Sequence, residues 1–181
     1  MRKPKLRRDY GAGKGQKVSG NQIAGSTKSK QDYQTPQDFI SAVKNRFGDL
    51  IVDLAAGNDN RQCDAYIDYE TNSLEQTWSV FNRRVKHGWL WLNPPFRDIA
   101  PWVEKCYFEM LGGARILTLL PASVGSNWYR DHVFGKAVEL YLNGRLRFVG
   151  CKDPYPKDCM LLVWDASAVP GRAVWQWREY I

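Results

Sequence analysis

Trp89-Leu90-Trp91-Leu92-Asn93-Pro94-Pro95-Phe96 is the stretch on which the fold reading turns. Four large apolar residues in a row read as a buried strand. The chain then meets two prolines, and an adjacent pair is expected at only about 1 in 400 positions when proline is ~5% of residues. Pro95 lacks an N–H and has a fixed φ, so the loop is stiff and cannot continue a ladder. That stiffness would aim the Asn93 side-chain oxygen and the Pro94 carbonyl at one point, with the Phe96 ring beside them. Two acceptors and an aromatic plate suit an amino group on a flat ring. The lone pair of such a group is delocalised, and accepting its two hydrogens favours the pyramidal geometry of attack, an interaction that strengthens in the transition state. A rigid turn packed by an aromatic is the plain alternative.

Working outward, Thr35-Pro36 marks the start of a helix, with Thr35 as N-cap, Pro36 in the first turn and Asp38 near the positive end of the dipole. Phe39, Ile40, Val43 and Phe47 recur at helical spacing, and Gly48 stops the helix. Leu50-Ile51-Val52 reads as a short strand ending at Asp53. Asp53-Leu54-Ala55-Ala56-Gly57-Asn58 follows it, a turn whose small residues would let a ligand approach the backbone while Asp53 accepts hydrogen bonds; many strand-to-helix turns look similar. After Phe96 the pattern predicts a helix over 99–111 closed by Gly112-Gly113, a strand over 114–120, a short helix over 128–134 and a strand over 138–142. Asn143-Gly144 is a strong hairpin signal, which predicts a partner strand over 145–149. Met160–Trp164 reads as a last buried strand, and periodicity leaves 170–181 undecided between strand and helix. Alternating strands and helices give an α/β fold with a mainly parallel sheet and a late antiparallel hairpin.

Composition narrows the functional classes. Of 181 residues, 44% are hydrophobic and 13% aromatic, enough for a packed core. The net charge of +7 is unevenly placed: residues 1–30 hold nine of the 26 basic residues and one of the 19 acidic ones, a net of +8, leaving 17 basic and 18 acidic elsewhere. The expected organisation is a basic, disordered arm over 1–31 and a near-neutral domain over 32–181. Lys14 among glycines resembles a phosphate loop only superficially, because no strand precedes it and Gly15 stands where Ser or Thr should. The arm suits sequence-independent contact with nucleic-acid backbone, or service as a solubilising tail. No apolar run approaches a membrane span or a secretory signal, so no membrane partner is expected. Cys63, Cys106, Cys151 and Cys159 form no C-x-x-C pair, and His87 and His132 offer no zinc spacing, so no metal is expected and the thiols read as reduced, in a cytoplasmic setting.

The order of motifs resembles the phage-type, Dam-like DNA adenine N6-methyltransferase family. The resemblance runs through Tyr33-Gln34-Thr35-Pro36, Asp53-Leu54-Ala55-Ala56, Asn60-Arg61-Gln62-Cys63-Asp64-Ala65-Tyr66, Leu74, Trp78, Trp91-Leu92-Asn93-Pro94-Pro95-Phe96, Leu119-Leu120-Pro121-Ala122 and Gly144-Arg145-Leu146-Arg147-Phe148, over about residues 32–165. It implies a compact Rossmann-like domain that uses S-adenosylmethionine. Tyr33, Thr35, Pro36, Asp53 and Ala55 would bind that cofactor, with Thr35 and Pro36 at its methionine end and Asp53 on its amino group. Asp68 would take the ribose hydroxyls, and Asn72 and Leu74 the adenine. Asn93, Pro94, Pro95 and Phe96 would form the catalytic loop and hold the target adenine, which must leave the duplex to reach it. Only 40 residues separate Asp53 from Asn93, too few for two strand-plus-helix units, so a missing or very short strand and helix is expected there.

There is no inserted recognition domain. Candidate DNA readers are Asn127, Trp128 and Arg130 in one loop, and Arg145 and Arg147 in a second that runs to Lys157 through Asp153-Pro154-Tyr155-Pro156. So few contacts imply a short or relaxed recognition sequence. The chemistry leaves open RNA adenine, cytosine or a protein glutamine amide as acceptor, and, from another class, a DNA-binding protein on an inactive methyltransferase fold. The resemblance favours adenine in DNA, in a bacterial cytoplasm, with evasion of host restriction as a purpose.

Overall fold

The structure is a computed structural model that describes residues 33–57, 59–68 and 70–181; the basic arm read over 1–31 lies outside the described residues. Its centre is a six-stranded sheet: β1 (Leu50–Asp53), β2 (Trp89–Leu92), β3 (Ile116–Pro121), β4 (Val138–Leu142), β5 (Cys159–Trp164) and β6 (Gly171–Trp175). The spatial order is β1-β2-β3-β5-β4-β6. β1, β2 and β3 pair in parallel, β5 runs antiparallel to both β3 and β4, and β6 is parallel to β4. Five strands therefore point one way and β5 alone opposes them. The carboxyl ends of β1, β2, β3, β4 and β6 all reach the same edge of the sheet, and so do the segments that follow them.

Alternation along the strands sorts side chains into two cores. Trp89 and Trp91, Leu117 and Leu119, and Leu161 and Val163 face one side, packed with Phe39, Ile40 and Val43 of α1 (Gln37–Phe47). Leu90 and Leu92, Ile116 and Leu120, and Met160, Leu162 and Trp164 face the other, packed with Val103, Cys106 and Met110 of the long helix Ala100–Leu111. Burial on both faces explains why the strands read as continuous apolar runs. Among the described residues no helix is long and apolar enough to cross a membrane.

The shortened region between Asp53 and Asn93 is as expected. Among the described residues a single parallel bridge joins Asp53 to Tyr66 where another strand would run, followed only by a 3-10 turn (Ser73–Glu75) and α2, the six-residue helix Ser79–Arg84. The helix Ala100–Leu111 is then α3.

Three local readings need correction. Thr35 does not cap α1: the cap position is Pro36, without a side-chain cap bond, and the Thr35 hydroxyl is used elsewhere. The late antiparallel pair exists, but its second arm is β5 rather than 145–149. β4 already has β5 on one side and β6 on the other, so no edge is left for a hairpin arm. Leu146 and Phe148 are buried while Arg145, Arg147 and Val149 are exposed, so the alternation there reports packing and not a ladder. The short helix over 128–134 is a π-helical turn at Tyr129–Val133. The undecided end resolves into β6 followed by a 3-10 turn, Trp177–Tyr180, which packs against α1 through Trp177 and Phe39.

Candidate active site

Register brings the two polar loops together. Asp53 lies opposite Trp91 in the β1–β2 ladder, and the Leu54 N–H donates to the Trp91 carbonyl at 2.9 Å, so Asn93 emerges on the neighbouring strand two residues beyond the partner of Asp53.

Asn93 is held from its nitrogen side. Nδ2 donates to the Tyr33 carbonyl at 2.6 Å and to the Thr35 hydroxyl at 3.1 Å. A carbonyl can only accept, so this anchor fixes which end of the amide is which. Oδ1 is left buried and, among the described residues, without a partner. An unmet buried acceptor costs about 1–3 kcal/mol, and such groups call for an explanation. An acceptor awaiting a donor on a ligand supplies one. Among the described residues none donates a hydrogen bond to the Pro94 carbonyl either.

Asp53 is 3% exposed. Its Oδ1 accepts the Ala55 N–H at 3.2 Å and its Oδ2 the Gln62 N–H at 3.0 Å. Burial raises its pKa from 3.8 to about 6, against the lowering effect of those two bonds. Among the described residues it has no ion-pair partner. A desolvated carboxylate fixed by backbone N–H groups and lacking a cation fits an ammonium-bearing ligand. The adjacent Cys63 thiol is pushed up to about 12 by burial and by the Asp53 charge, so it is no nucleophile.

Two cavities with shared lining residues lie over these groups. The inner one, about 40 Å³, is lined by Tyr33, Thr35, Asp53, Ala55, Trp91, Asn93 and Pro95 together with Gln34, Asn60 and Gln62. The outer cleft, about 600 Å³, shares Ala55, Asn60 and Pro95 and continues past Asp68, Asn72 and Leu74 to Ile67 and Trp102. Asp68 takes the Thr71 hydroxyl and N–H on Oδ1 at 2.6 and 2.9 Å, which lowers its pKa. Asn72 holds a left-handed φ of 49° on the cleft wall.

The sequence-predicted cofactor set is thus gathered in one place, with one exception. Pro36 lies outside both cavities, on a separate groove with Arg145 and Arg147. Pro94 is buried and Phe96 half-buried, and neither lines the two cavities. The Phe96 ring packs against Tyr33, Phe148 and Tyr155 at 5.5–5.9 Å, so the aromatic wall beside Asn93 is built by four rings. Phe148 and Tyr155 come from the loop after β4, where sequence gives no sign of this meeting. Asn60, Gln62 and Trp102 were also missed as cleft residues; only the motif around Asn60 could have pointed to the first two.

The predicted DNA readers sit on segments that leave the same sheet edge. Asn127 is exposed, Trp128 packs on Tyr129, and Arg130 is paired with the neighbouring Asp131 at 2.6 and 2.8 Å, which partly neutralises it. Arg145 and Arg147 are exposed and line one groove with Pro36.

An open, mainly parallel α/β sheet with a fixed carboxylate at the end of one strand and a fixed amide after the next, and a cleft over the strands' carboxyl ends, is the arrangement of the doubly wound class. Comparison narrows this. The profile of the DNA N-6-adenine-methyltransferase (Dam) family matches residues 24–166. The DNA N-6-adenine-methyltransferase of Escherichia phage T1 is 31% identical over 99 residues, 55% of this chain and 39% of the phage protein. YfdM of Escherichia coli (strain K12), which carries a methyltransferase name, is 33% identical over 70 residues, 39% of this chain and 71% of YfdM. The chain belongs to the DNA N-6-adenine-methyltransferase (Dam) family; the matched region spans about two fifths of the phage T1 relative.

Proposed function

We propose that this protein transfers a methyl group from S-adenosylmethionine to the exocyclic N6 amino group of adenine in DNA. The observation that carries the reading is the orphaned Oδ1 of Asn93, whose Nδ2 is anchored on Tyr33 and Thr35 and which lines the same cavity as Asp53. Family membership supports the reaction class. When bound, S-adenosylmethionine supplies an electrophilic methyl group. The chain's own groups then have distinct tasks. Asp53 binds the ammonium of the methionine end, Asp68 the ribose hydroxyls through the oxygen not bound to Thr71, and Leu74, Ile67 and Trp102 give the outer cleft an apolar wall for a flat base.

Asn93 Oδ1 and the Pro94 carbonyl accept the two hydrogens of the target amino group. They orient its lone pair toward the methyl donor and gain strength as the nitrogen becomes cationic. The surplus proton can leave after transfer, so no general base is required. The adenine must be extruded from the duplex, and a wall of Phe96, Tyr33, Phe148 and Tyr155 suits one face of a base. Residues 32–181 form the methyltransferase domain, and the arm over 1–31 adds general affinity for phosphate.

The test is incubation with methyl-labelled cofactor and unmethylated DNA, RNA or protein, followed by identification of the modified unit. N6-methyldeoxyadenosine is expected. Label confined to RNA adenine or to glutamine overturns the reading, and label in none of them favours a non-catalytic DNA-binding role.

A further inference from the structure

The Asn143-Gly144 turn does not make a hairpin, yet it has a structural consequence. Gly144 adopts φ 80°, and a Cβ there would lie 2.4 Å from Nη1 of Arg178. The bare glycine lets the Arg178 guanidinium lie across the turn. Its Nη1 donates to the Asn143 carbonyl at 2.9 Å and its Nη2 to the Arg145 carbonyl at 3.4 Å. Its Cζ stands 4.3 Å from the centroid of the Trp177 ring. Trp177 is 2% exposed, and its indole N–H has no acceptor among the described residues. A guanidinium has five N–H donors, so three remain on a group already ordered from two sides.

This group lines a groove of about 380 Å³ with Arg145, Arg147 and Trp177, and with one acid, Asp38, whose Oδ1 accepts the N–H of Phe39 at 2.7 Å. The Arg145 Nε is 3.5 Å from Asp158 Oδ1, but both side chains are more than half exposed, so an anion can replace that weak pair. Three guanidinium groups against one carboxylate give the groove a net positive lining that favours an anion. The groove also adjoins the catalytic loop. Pro36 on its wall follows Thr35, which holds Asn93, and the Leu146 carbonyl accepts the N–H of Tyr155, whose ring touches Phe96.

We infer that this groove is a phosphate subsite, formed by Arg145, Arg147 and Arg178, that grips the DNA backbone beside the extruded adenosine. The inference rests on the proposed DNA substrate and extends it to the C-terminal segment. Bidentate guanidinium–phosphate contacts fix register without reading sequence. Arg178 is set in place before DNA arrives, which reduces the ordering cost of binding.

The test is fluorescence anisotropy of the full-length protein with a duplex oligonucleotide across a potassium chloride series. Each phosphate contact contributes about 0.9 to the slope of log K against log salt. Arg147→Ala and Arg178→Ala should each lower the slope by about 0.9 and the double variant by about 1.8, with affinity for S-adenosylhomocysteine changed less than twofold. Gly144→Ala removes no charge but displaces the guanidinium, and it should match Arg178→Ala. Arg147 is exposed, so its variant is informative even if a turn variant fails to fold. Wild-type slope in both arginine variants overturns the subsite and leaves the methyltransferase reading intact. Loss of inhibition by inorganic phosphate with an unchanged DNA slope also overturns it, as a free-anion site. A wild-type protein that binds no DNA at any salt overturns the subsite and the DNA reading together.

Discussion

Binding of the cofactor's amino-acid end should be steeply pH-dependent, because the group assigned to it titrates in an accessible range. Burial raises the Asp53 pKa from 3.8 to about 6 in the free protein. Its contribution to folding stability is therefore complete below about pH 4 and is lost as pH rises through about 6, where the desolvated charge appears. Binding has the opposite sign. An ammonium beside the carboxylate favours the ionised form and draws its pKa down, so ligand affinity is lost as pH falls through about 6.

With that value the carboxylate is about 97% ionised at pH 7.5 and about 9% at pH 5. Affinity for S-adenosylhomocysteine, which keeps the same ammonium, should fall about tenfold over that interval, or ~1.4 kcal/mol. Near pH 6, binding should release about half a proton per site. Calorimetry at three pH values, in buffers of different ionisation enthalpy, reads both quantities. Asp53→Asn should bind weakly with a flat profile and no proton release. Wild-type affinity constant within about twofold from pH 7.5 to 5, without proton release, would refute the assignment of Asp53 to the ammonium.

Asn93→Ala should reduce methyl transfer at least about 100-fold, the loss typical of one oriented polar group acting on the transition state, with S-adenosylhomocysteine affinity nearly unchanged; retained turnover would reject the role of Oδ1. Thr35→Val removes one of the two anchors of Asn93 Nδ2 and should cost about 1 kcal/mol of orientation, or roughly fivefold in kcat; an equal effect on cofactor affinity would point to a different role. Glu139 is 1% exposed and accepts from Tyr129, Tyr141 and Arg172, so Glu139→Ala should destabilise the fold by about 3 kcal/mol in urea melts; an unchanged midpoint would contradict that buried network. Burial pushes the Cys63, Cys106 and Cys159 thiols up to about 12, so a thiol reagent should label the native protein at the less buried Cys151 and all four sites after denaturation; rapid native labelling of two or more would show that the core opens. Deleting residues 1–30 should weaken DNA binding and flatten its salt dependence while sparing S-adenosylhomocysteine binding; an unchanged slope would leave phosphate affinity to the domain alone.

Sequence by itself determined the elements that local physics controls. The apolar runs at Trp89–Leu92 and Met160–Trp164, and the one over 114–120 interrupted by Arg115 and Thr118, read as buried strands, and the stiff Asn93-Pro94-Pro95 break as a strand end. The 40-residue interval from Asp53 to Asn93 left no room for a full extra unit, and a single bridge at Tyr66 is what remains of it. Motif order also pointed to the family. Tertiary structure decided what depends on partners far apart in the chain. Thr35 scores as a helix cap on propensity, but the loop beyond β2 competes for its hydroxyl, and the bond goes to Asn93, 58 residues away. The Asn143-Gly144 signal encodes a left-handed turn correctly. Whether a hairpin follows depends on a free edge of β4, and β5 and β6 occupy both. The convergence of Phe96, Tyr33, Phe148 and Tyr155, and the seating of Arg178 on Gly144, join segments with no local correlation in sequence. Only the folded sheet, by bringing five strand ends to one edge, sets them side by side.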